Sequence, residues 1–208
     1  MTSTINNTIN TFDTYTLRAA TLDDAFEIWS VMDSCANAME QKEHFICDDL
    51  DYVKDILSGH GFAVVACNIE GKIVGNLLVK YPGLEEENLG YDVFTKPYKH
   101  SIADDKNTFA ETTNHSPLLS KENLMKVVHM DSASVLPKHR GNKLEARMIS
   151  FAETLVDTSK YYYAFATVAP GNTASLKSLE RNGYQVMVTK EKYGGLMRCV
   201  MMKNYCKS

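Results

Sequence analysis

The order strand, helix, strand between residues 126 and 168 constrains the fold more than any other feature of the sequence. Residues 127–135 and 161–168 are rich in apolar and β-branched side chains, which predicts two strands. Residues 141–156 between them are predicted to form a helix with an apolar face made of Leu144, Met148, Phe151, Ala152 and Leu155. A crossover of this kind is right-handed and leaves its two strands parallel. We therefore predict a sheet that contains a parallel pair and carries this helix on one face.

Antiparallel strands are predicted before this unit. Residues 62–67 and 73–79 are apolar runs separated by Glu70, Gly71 and Lys72, which is typical of a β-hairpin. The remaining predicted strands are at 14–18 and, as the last strand, at 197–202. The remaining predicted helices are one that begins at Thr21, one at 50–57 and one at 172–181. The predicted fold class is α/β (α+β), with a mixed, mostly antiparallel sheet of about six to seven strands and helices on both faces.

Chain length favours a single domain. A chain of 208 residues with 44% hydrophobic residues has a core of the size usual for one domain. We predict one domain at residues 14–208, preceded by a flexible polar tail at residues 1–13. Residues 82–122 are polar and irregular and form a predicted insertion. Such a segment is either a functional cover over a binding site or a mobile insertion, and the sequence favours neither.

Composition argues against several classes of function. The net charge is −4 and the basic residues form no stripe, so we expect no nucleic-acid partner. We find no secretory signal and no apolar run near the roughly 20 residues that span a bilayer, so we expect a cytoplasmic protein without a membrane partner. The five cysteines show no CxxC spacing, and His100 and His115 lack partners at ligand spacing, so no metal site is predicted.

The turn between residues 135 and 145 joins a predicted strand directly to the amphipathic helix. The first N–H groups of a helix have no partner inside it and can bind a phosphate or pyrophosphate. Arg140 and Lys143 lie beside these groups in the sequence and would add cationic donors. Any turn from a strand to a helix exposes such amides, so an ordinary connection is the alternative.

Two motifs in the chain resemble those of the GNAT superfamily. Val135, Pro137 and Arg140 fall on its Val-x-Pro-x-x-Arg turn, and residues 172–184 resemble its later Asn-x-x-Ser helix that ends in Gly-Tyr. The resemblance covers residues 15–203 and implies the GNAT-like acyl-CoA N-acyltransferase fold with acetyl-CoA as co-substrate. The cofactor-binding residues that it implies are Ala133, Ser134, Val135, Arg140, Gly141, Asn142, Lys143, Leu144, Glu145, Ala146, Asn172 and Ser175.

Three positions depart from the pattern of this superfamily. Lys143 and Glu145 stand where small residues, mostly glycine, let phosphate approach the backbone. Glu145 either repels a pyrophosphate or serves as a favourable acid in the first helical turn. Leu179 stands where many relatives have a tyrosine that protonates the leaving thiolate. A tyrosine of the turn at 193–195, one from the insertion, or a water molecule would then supply the proton.

The predicted catalytic residues are His129, Asp131 and Asn172. His129 and Asp131 are two apart in a strand and therefore share a face. The histidine falls where the resemblance places a general base, with the aspartate beside it to stabilise the imidazolium or bind the substrate cation. A buried structural histidine is the alternative. Asn172 is also a good helix N-cap, and this role is compatible with ligand contact.

The function predicted from these residues is acetyl transfer from acetyl-CoA to a primary amine of a small molecule or peptide. Direct attack in a ternary complex is expected, because no cysteine lies in the turn or the strand before it. A CoA-binding or regulatory protein with little catalysis is the alternative, and a longer acyl donor is not excluded. A homodimer that pairs through an exposed last strand is also compatible with the sequence.

Overall fold

A computed structural model describes residues 9–12, 14–94 and 120–205. Over these residues the chain forms one sheet of eight strands in the order β1-β2-β3-β4-β5-β6-β8-β7. The strands are β1 Ile9–Phe12, β2 Tyr15–Ala19, β3 Gly61–Asn68, β4 Ile73–Lys80, β5 Val127–Val135, β6 Tyr163–Val168, β7 Gln185–Lys192 and β8 Leu196–Asn204. The helices are α1 Ala25–Asn37, α2 Leu50–Asp55, α3 Gly90–Phe94, α4 Lys121–Leu124, α5 Leu144–Leu155 and α6 Thr173–Arg181.

The sheet is mixed and mostly antiparallel, as predicted. Among the described strands, β5 and β6 are the parallel pair, and α5 connects them across one face. All other neighbouring strands run antiparallel, including the predicted hairpin of β3 and β4. The strand, helix, strand order of residues 126–168 therefore does set the centre of the fold.

Helices cover both faces of the sheet, because alternate side chains of the central strands point to opposite sides. On β3, Phe62 and Val64 pack in the cluster under α5, whereas Ala63 and Val65 pack in the cluster under α1 and α2. A third cluster places Phe94 of α3 against Phe165 of β6. The layered architecture thus buries nearly every side chain of β3 and β4.

Of the flexible tail predicted at residues 1–13, residues 1–8 and 13 lie outside the described residues, and the remaining four are ordered. Residues 9–12 form β1, which pairs antiparallel with β2 from Ile9 opposite Arg18 to Phe12 opposite Tyr15. Pairing supplies partners for the backbone N–H and C=O groups at the free edge of β2, and this needs little apolar sequence. The sheet therefore contains more strands than the six to seven that we predicted.

The prediction that the last strand is exposed at an edge of the sheet, where it could pair in a dimer, is wrong. The last strand, β8, lies between β6 and β7, and β7 occupies the edge of the sheet. We did not predict β7 because its sequence, Gln-Val-Met-Val-Thr-Lys-Glu-Lys, is half polar. Many of its side chains stay partly or fully exposed, which is what an edge strand with one solvated face requires. The homodimer stays a prediction.

The segment that follows β4 packs on the sheet before residues 95–119, which lie outside the described residues together with His100 and His115. Asp92 of α3 pairs with Lys190 at 2.6 Å and with Lys192, both on β7. This pairing holds α3 over the C-terminal half of the sheet and lowers the pKa of the Asp92 carboxyl against the effect of burial. The first part of the predicted insertion is thus an ordered element of the fold.

The described residues contain neither a membrane-spanning helix nor a cluster of metal ligands. No helix in these ranges has the length and apolarity needed to cross a membrane. No group of three or more His, Cys, Asp or Glu side chains in the same ranges is placed to hold a metal ion.

Replacement of Gly61 by alanine tests the packing of the central hairpin. A Cβ at Gly61 would lie 1.9 Å from the carbonyl oxygen of Val79, so β3 and β4 would have to separate. We expect Gly61→Ala to lower the free energy of unfolding by about 3 kcal/mol or more in urea denaturation. The comparison variant is Gly71→Ala, which meets no atom within 4 Å but has φ of +79°. It should cost about 1 kcal/mol through backbone strain alone, and an equal cost for the two variants would contradict this packing.

Candidate active site

The parallel pair β5 and β6 separates part-way along its length. Three residue pairs join the two strands, and the last of them is His129 opposite Phe165. Beyond it, β5 stays paired with β4 up to Val135 opposite Gly75, and β6 stays paired with β8 up to Val168 opposite Cys199. Each strand therefore remains in the sheet on one side while its other edge opens into a wedge.

A bulge in β5 accompanies this separation. The register between β4 and β5 shifts between Leu77 and Val79, so Ala133 pairs with Leu77 while Met130 pairs with Val79. One extra residue of β5 is accommodated in this interval, close to Asp131. A bulge bends a strand and re-aims its side chains, and bulges are common beside active sites.

The wedge opens into a cavity of about 370 Å³. Its wall is built from β4, β5, β6, α2 and the segment before it, the first half of α5, α6 with its N-cap, the turn after β7, and the start of β8. The polar and charged side chains in the wall are His44, Asp48, Tyr52, Lys80, Glu87, His129, Asp131, Ser132, Glu145, Thr167, Asn172, Ser175, Tyr193 and Arg198. None of the described cysteines belongs to the wall. The cavity thus joins the predicted catalytic strand to both predicted cofactor helices.

The turn after β5 leaves a run of backbone N–H groups without protein acceptors. Pro137–His139 is a single 3₁₀ turn, Gly141 has φ of +84°, and α5 begins at Leu144. The first N–H that bonds back toward this helix start is that of Arg147, which donates to the carbonyl of Lys143 at 3.0 Å. Within the described residues, the N–H groups of residues 141–146 donate to no protein atom. The turn therefore offers an anion-binding row of amides.

A second cavity of about 220 Å³ adjoins this row and is lined by Thr14, Tyr15, Gly141, Asn142, Lys143 and Arg147. Lys143 and Arg147 place two cationic side chains one helical turn apart at its wall. The larger cavity and this smaller one lie at the same end of α5, since Glu145 lines the first and Lys143 the second.

Two predicted cofactor residues instead hold the turn in shape. Arg140 donates through Nε to the carbonyl of Val135 at 3.1 Å. Asn142 donates through Nδ2 to the carbonyl of His139 at 3.1 Å and to the Tyr15 hydroxyl at 3.2 Å. These hydrogen bonds position the backbone amides of the turn. The side chains of Arg140 and Asn142 therefore have a structural role.

The departures at Lys143 and Glu145 have a geometric explanation. Lys143 has φ of +57°, the left-handed conformation that glycine adopts without strain, so the turn keeps its shape with a lysine in place of glycine. The Glu145 carboxylate accepts a hydrogen bond from the Ser175 hydroxyl at 2.6 Å. It therefore points across to α6 and into the larger cavity, where burial raises the pKa of the Glu145 carboxyl.

Of the remaining predicted cofactor residues, only some line the larger cavity. Ala133 contributes to the cavity wall, whereas Ser134 and Val135 pair with β4 and lie outside the wall. Leu144 is buried under the sheet, and the carbonyl of Ala146 accepts a hydrogen bond from Asn182.

The start of α6 forms another part of the cavity wall. Asn172 caps the helix, its side chain accepting a hydrogen bond from the N–H of Ser175 at 3.2 Å. Leu179 is almost fully buried and adds an apolar patch to the wall, so it offers no proton there. A tyrosine of the turn at 193–195 does line the cavity: the Tyr193 hydroxyl lies 3.1 Å from the Thr167 hydroxyl of β6. Tyr193 is about half exposed, and the burial of the rest of its side chain raises the pKa of its hydroxyl.

His129 is buried and already has a hydrogen-bond partner. Its Nε2 accepts a hydrogen bond from the backbone N–H of Leu89 at 3.1 Å. Burial, with the charges of Lys80 and Lys192, lowers the pKa of His129 to about 3. The ring is thus neutral and connects β5 to the segment before α3.

Asp131 lies in the cavity wall with a firmly held carboxylate. The Tyr52 hydroxyl donates to Oδ2 of Asp131 at 2.7 Å, and this tyrosine is presented by the first turns of α2. Burial raises the pKa of Asp131 to about 6, and the charge of Asp48 adds to the effect. Asp48 itself accepts a hydrogen bond from the Ser132 hydroxyl at 2.9 Å, and burial raises the pKa of Asp48 as well. Two partly buried carboxylates therefore share one side of the cavity, and neither has a cationic partner at hydrogen-bond distance within the described residues.

Sequence reasoning did not single out Tyr52, Asp48 or Arg198. These residues come from separate segments that only the fold brings together, and no spacing in the chain marks them. The sequence does contain one signal near Asp48, because two adjacent acidic residues precede the predicted helix at 50–57. Such residues suggest an N-cap, and the structure gives that role to Asp49.

Comparisons with known proteins support the same architecture. No protein-family model matches the sequence, and no curated protein is significantly similar to it. Solved structures do match. The ribosomal-protein-S5-alanine acetyltransferase from Vibrio fischeri superposes with a TM-score of 0.58 at 14% identity, over 95% of this chain and 97% of that chain. A GNAT superfamily phosphinothricin acetyltransferase from Sinorhizobium meliloti, solved with acetyl-CoA, superposes with a TM-score of 0.59 at 14% identity. The match covers 92% of this chain and 89% of that chain. A GNAT family acetyltransferase from Listeria monocytogenes superposes with a TM-score of 0.58 at 15% identity, over 94% of this chain and 99% of that chain.

The chain has the GNAT acetyltransferase fold. The structural match extends over nearly the whole chain and over nearly the whole length of these proteins. The fold predicted from the two motifs is thereby confirmed. At these identities the match concerns architecture, and the chemistry of the GNAT fold in this chain has to be argued from its own residues.

Replacement of Asp131 by asparagine tests the burial of its charge. The folded-state pKa of about 6 is above the ordinary value of 3.8, so ionisation of this group costs stability as pH rises through 6. Asparagine keeps an acceptor for Tyr52 without the charge. We expect Asp131→Asn to melt about 2–6 °C above the wild type at pH 8, with the gain shrinking toward pH 4.

The exposed Asp51, with 90% of its side chain accessible, provides the control. Asp51→Asn should change the melting temperature little at either pH. A wild type that is more stable than Asp131→Asn at pH 8 would show that the Asp131 carboxylate is stabilised in the fold.

Proposed function

We propose that the protein is an acetyl-CoA-dependent N-acetyltransferase that acts on a primary amine by direct attack in a ternary complex. One observation carries the proposal. The unpaired edge of β5 at the wedge leads, in one continuous path, to the free amides of residues 141–146. An extended chain with an amide-containing arm and a pyrophosphate has the donors and acceptors that such a path needs.

The residues present fit acetyl-CoA in two respects. The amides of residues 141–146 and the Lys143 and Arg147 side chains supply donors for the phosphates. The backbone of β5 from Met130 onward has an open edge toward β6, which offers hydrogen bonds to the pantetheine arm. When bound, acetyl-CoA supplies an activated thioester, and the chain has to deprotonate the amine and protonate the leaving thiolate.

Asp131 is our proposed general base. Amine acetylation requires a neutral amine, because an ammonium has no lone pair. A carboxylate with a pKa near 6 accepts a proton better than an ordinary aspartate and is still ionised at neutral pH. The Tyr52 hydroxyl bond at 2.7 Å holds it toward the cavity. His129 is less suited to this task, since its Nε2 is bonded to Leu89 and its pKa is low.

Tyr193 is our proposed general acid. Its hydroxyl lies at the wall of the wedge beside Thr167 of β6. A phenol whose pKa is raised by burial stays protonated at neutral pH and can donate to a developing thiolate. Thr167 would orient that proton. This assignment replaces the missing tyrosine at Leu179 with one from the turn between β7 and β8.

Backbone N–H groups of the unpaired β5 edge are our proposed oxyanion donors. Preorganised amides in a partly enclosed site stabilise the charge that develops on a thioester oxygen. The amide of Leu136 is not available, because it donates to the carbonyl of Val74 at 2.9 Å. The donors must therefore lie earlier on β5, between Met130 and Val135.

A CoA-binding protein with little catalysis is the second candidate. The apolar Leu179 in the cavity wall favours it, since the position offers no acid. The two candidates share cofactor binding and differ in whether Asp131 and Tyr193 affect turnover.

Calorimetric titration tests the cofactor site. We expect acetyl-CoA and CoA to bind in the micromolar range, and Lys143→Glu to weaken both by at least about tenfold because it places a negative charge at the amide row. Lys72→Glu carries the same charge change on an exposed turn that lines neither cavity, and it should bind like the wild type. No heat and no thermal stabilisation of the wild type at millimolar acetyl-CoA would contradict the proposed function.

Thiol release with a panel of primary amines tests the catalytic assignments. With a reactive amine, we expect kcat/KM to fall below about pH 6, where Asp131 becomes protonated. Asp131→Asn should lose about 100-fold or more in kcat/KM and the pH dependence with it, while Tyr193→Phe should lower kcat by about tenfold to 100-fold. Acetyl-CoA binding should stay unchanged in both variants. Retained activity in both, or no turnover of any amine despite cofactor binding, would favour the second candidate.

A further inference from the structure

Arg198 of β8 is a buried cation in the wall of the larger cavity. Only 5% of the residue is exposed. It donates through one terminal nitrogen to the carbonyl of Met197 at 2.9 Å, and through the other to the carbonyl of Glu43 at 2.6 Å. A guanidinium has five N–H donors, so these two hydrogen bonds leave part of the fork unused.

The charge of Arg198 has no counter-ion within the described residues. The ion pairs found there use other cations, among them Lys80 with Glu85 at 2.6 Å and Lys192 with Asp92. Burial of an unpaired charge is costly, and a carbonyl neutralises none of it. An anionic group that enters the cavity would supply the missing charge.

Carboxylates on another side of the cavity present the opposite charge. Asp131 and Asp48 accept hydrogen bonds from the Tyr52 and Ser132 hydroxyls, at 2.7 and 2.9 Å, and from no cation of the described residues. An ammonium group of a substrate suits this side. Both kinds of unpaired charge therefore face one cavity.

Tyr193 lies between the two charged sides. The Arg198 guanidinium carbon is 5.7 Å from the centroid of the Tyr193 ring, and the charges of Asp131 and Arg198 shift the pKa of the hydroxyl in opposite directions. The proposed general acid therefore lies against Arg198 and is influenced by the charges of both sides.

We propose that the acceptor is an amine that also carries a carboxylate, an amino-acid type of substrate, and that Arg198 binds this carboxylate while Asp131 receives the ammonium. The inference rests on the proposed N-acetyltransferase function and specifies its substrate class. Glu87 and Glu145 add negative charge to the same wall and would disfavour a second carboxylate. A monocarboxylate with a neutral or apolar side chain best matches the wall, which also contains Phe45 and Ile46.

The experiment compares amino acids with their C-terminal amides as acceptors. The standard L-amino acids, β-alanine and γ-aminobutyrate are each paired with the corresponding amide, and thiol release from acetyl-CoA is followed. We expect at least one acid to react with kcat/KM at least about tenfold above its amide, because a charged hydrogen bond to the guanidinium is lost in the amide.

Variants of Arg198 separate substrate binding from a structural role. Arg198→Gln keeps a donor for the Glu43 carbonyl but removes the charge. It should raise KM for the acid at least about tenfold more than KM for the amide, and any change in kcat should be the same for the two substrates. Arg198→Lys retains the charge and should recover part of the preference for the acid, which keeps the test informative if the glutamine variant folds poorly. Arg181→Gln, an exposed arginine of α6 outside the wall, should leave both substrates unchanged.

Three outcomes would overturn the inference. Equal losses for acid and amide in Arg198→Gln would mean that Arg198 only anchors the chain at Glu43. A preference for amides in the wild type would contradict the role of the carboxylate directly. If no carboxylate-bearing amine reacts or raises the melting temperature while acetyl-CoA binds, the inference fails alone, whereas failure of acetyl-CoA to bind removes the proposed function together with it.

Discussion

The site depends on backbone hydrogen bonds that β5 and β6 do not make with each other. The two strands pair as far as His129 and Phe165 and then separate, although each keeps its partner on the other side. Backbone N–H and C=O groups that are buried without partners are costly, so a wedge of this kind persists only where surrounding elements hold it open and where water or a ligand satisfies the edges. The bulge in β5 and the hydrogen bond from Leu89 to His129 are two such supports.

The electrostatics of the cavity follow from where the wedge lies. Because the wedge opens between two central strands of the sheet, the charged groups at its wall are partly removed from water. Asp131, Asp48 and Glu145 therefore have raised pKa values, and each carboxylate is held by a hydroxyl. Arg198 is buried without a carboxylate partner among the described residues. The cavity is thus a site in which the protein has left charges of both signs for a ligand to pair.

Local sequence was a good guide where a structure is stabilised by neighbours along the chain. The apolar spacing from Leu144 to Leu155 specifies α5, and Asn172 caps α6 as predicted. Local reasoning did less well at Lys143 and Glu145. Their side chains seemed unfavourable for a phosphate site, but the left-handed backbone of Lys143 and the Ser175 partner of Glu145 remove most of the conflict. Neither feature is readable from spacing, because one is a torsion angle and the other a contact between helices.

The sequence by itself determined the strand, helix, strand unit, the mixed sheet with helices on both faces, and the turn with its free amides. These depend on periodicity and on residues close together in the chain. Only the tertiary structure decided that His129 is bonded to Leu89, that Asp131 is held by Tyr52, that Tyr193 reaches the wedge, and that Arg198 has no counter-ion in the described residues. The physical reason is that burial and hydrogen-bond partners set the charge and availability of a side chain, and here these partners lie 26 to 155 positions away in the sequence.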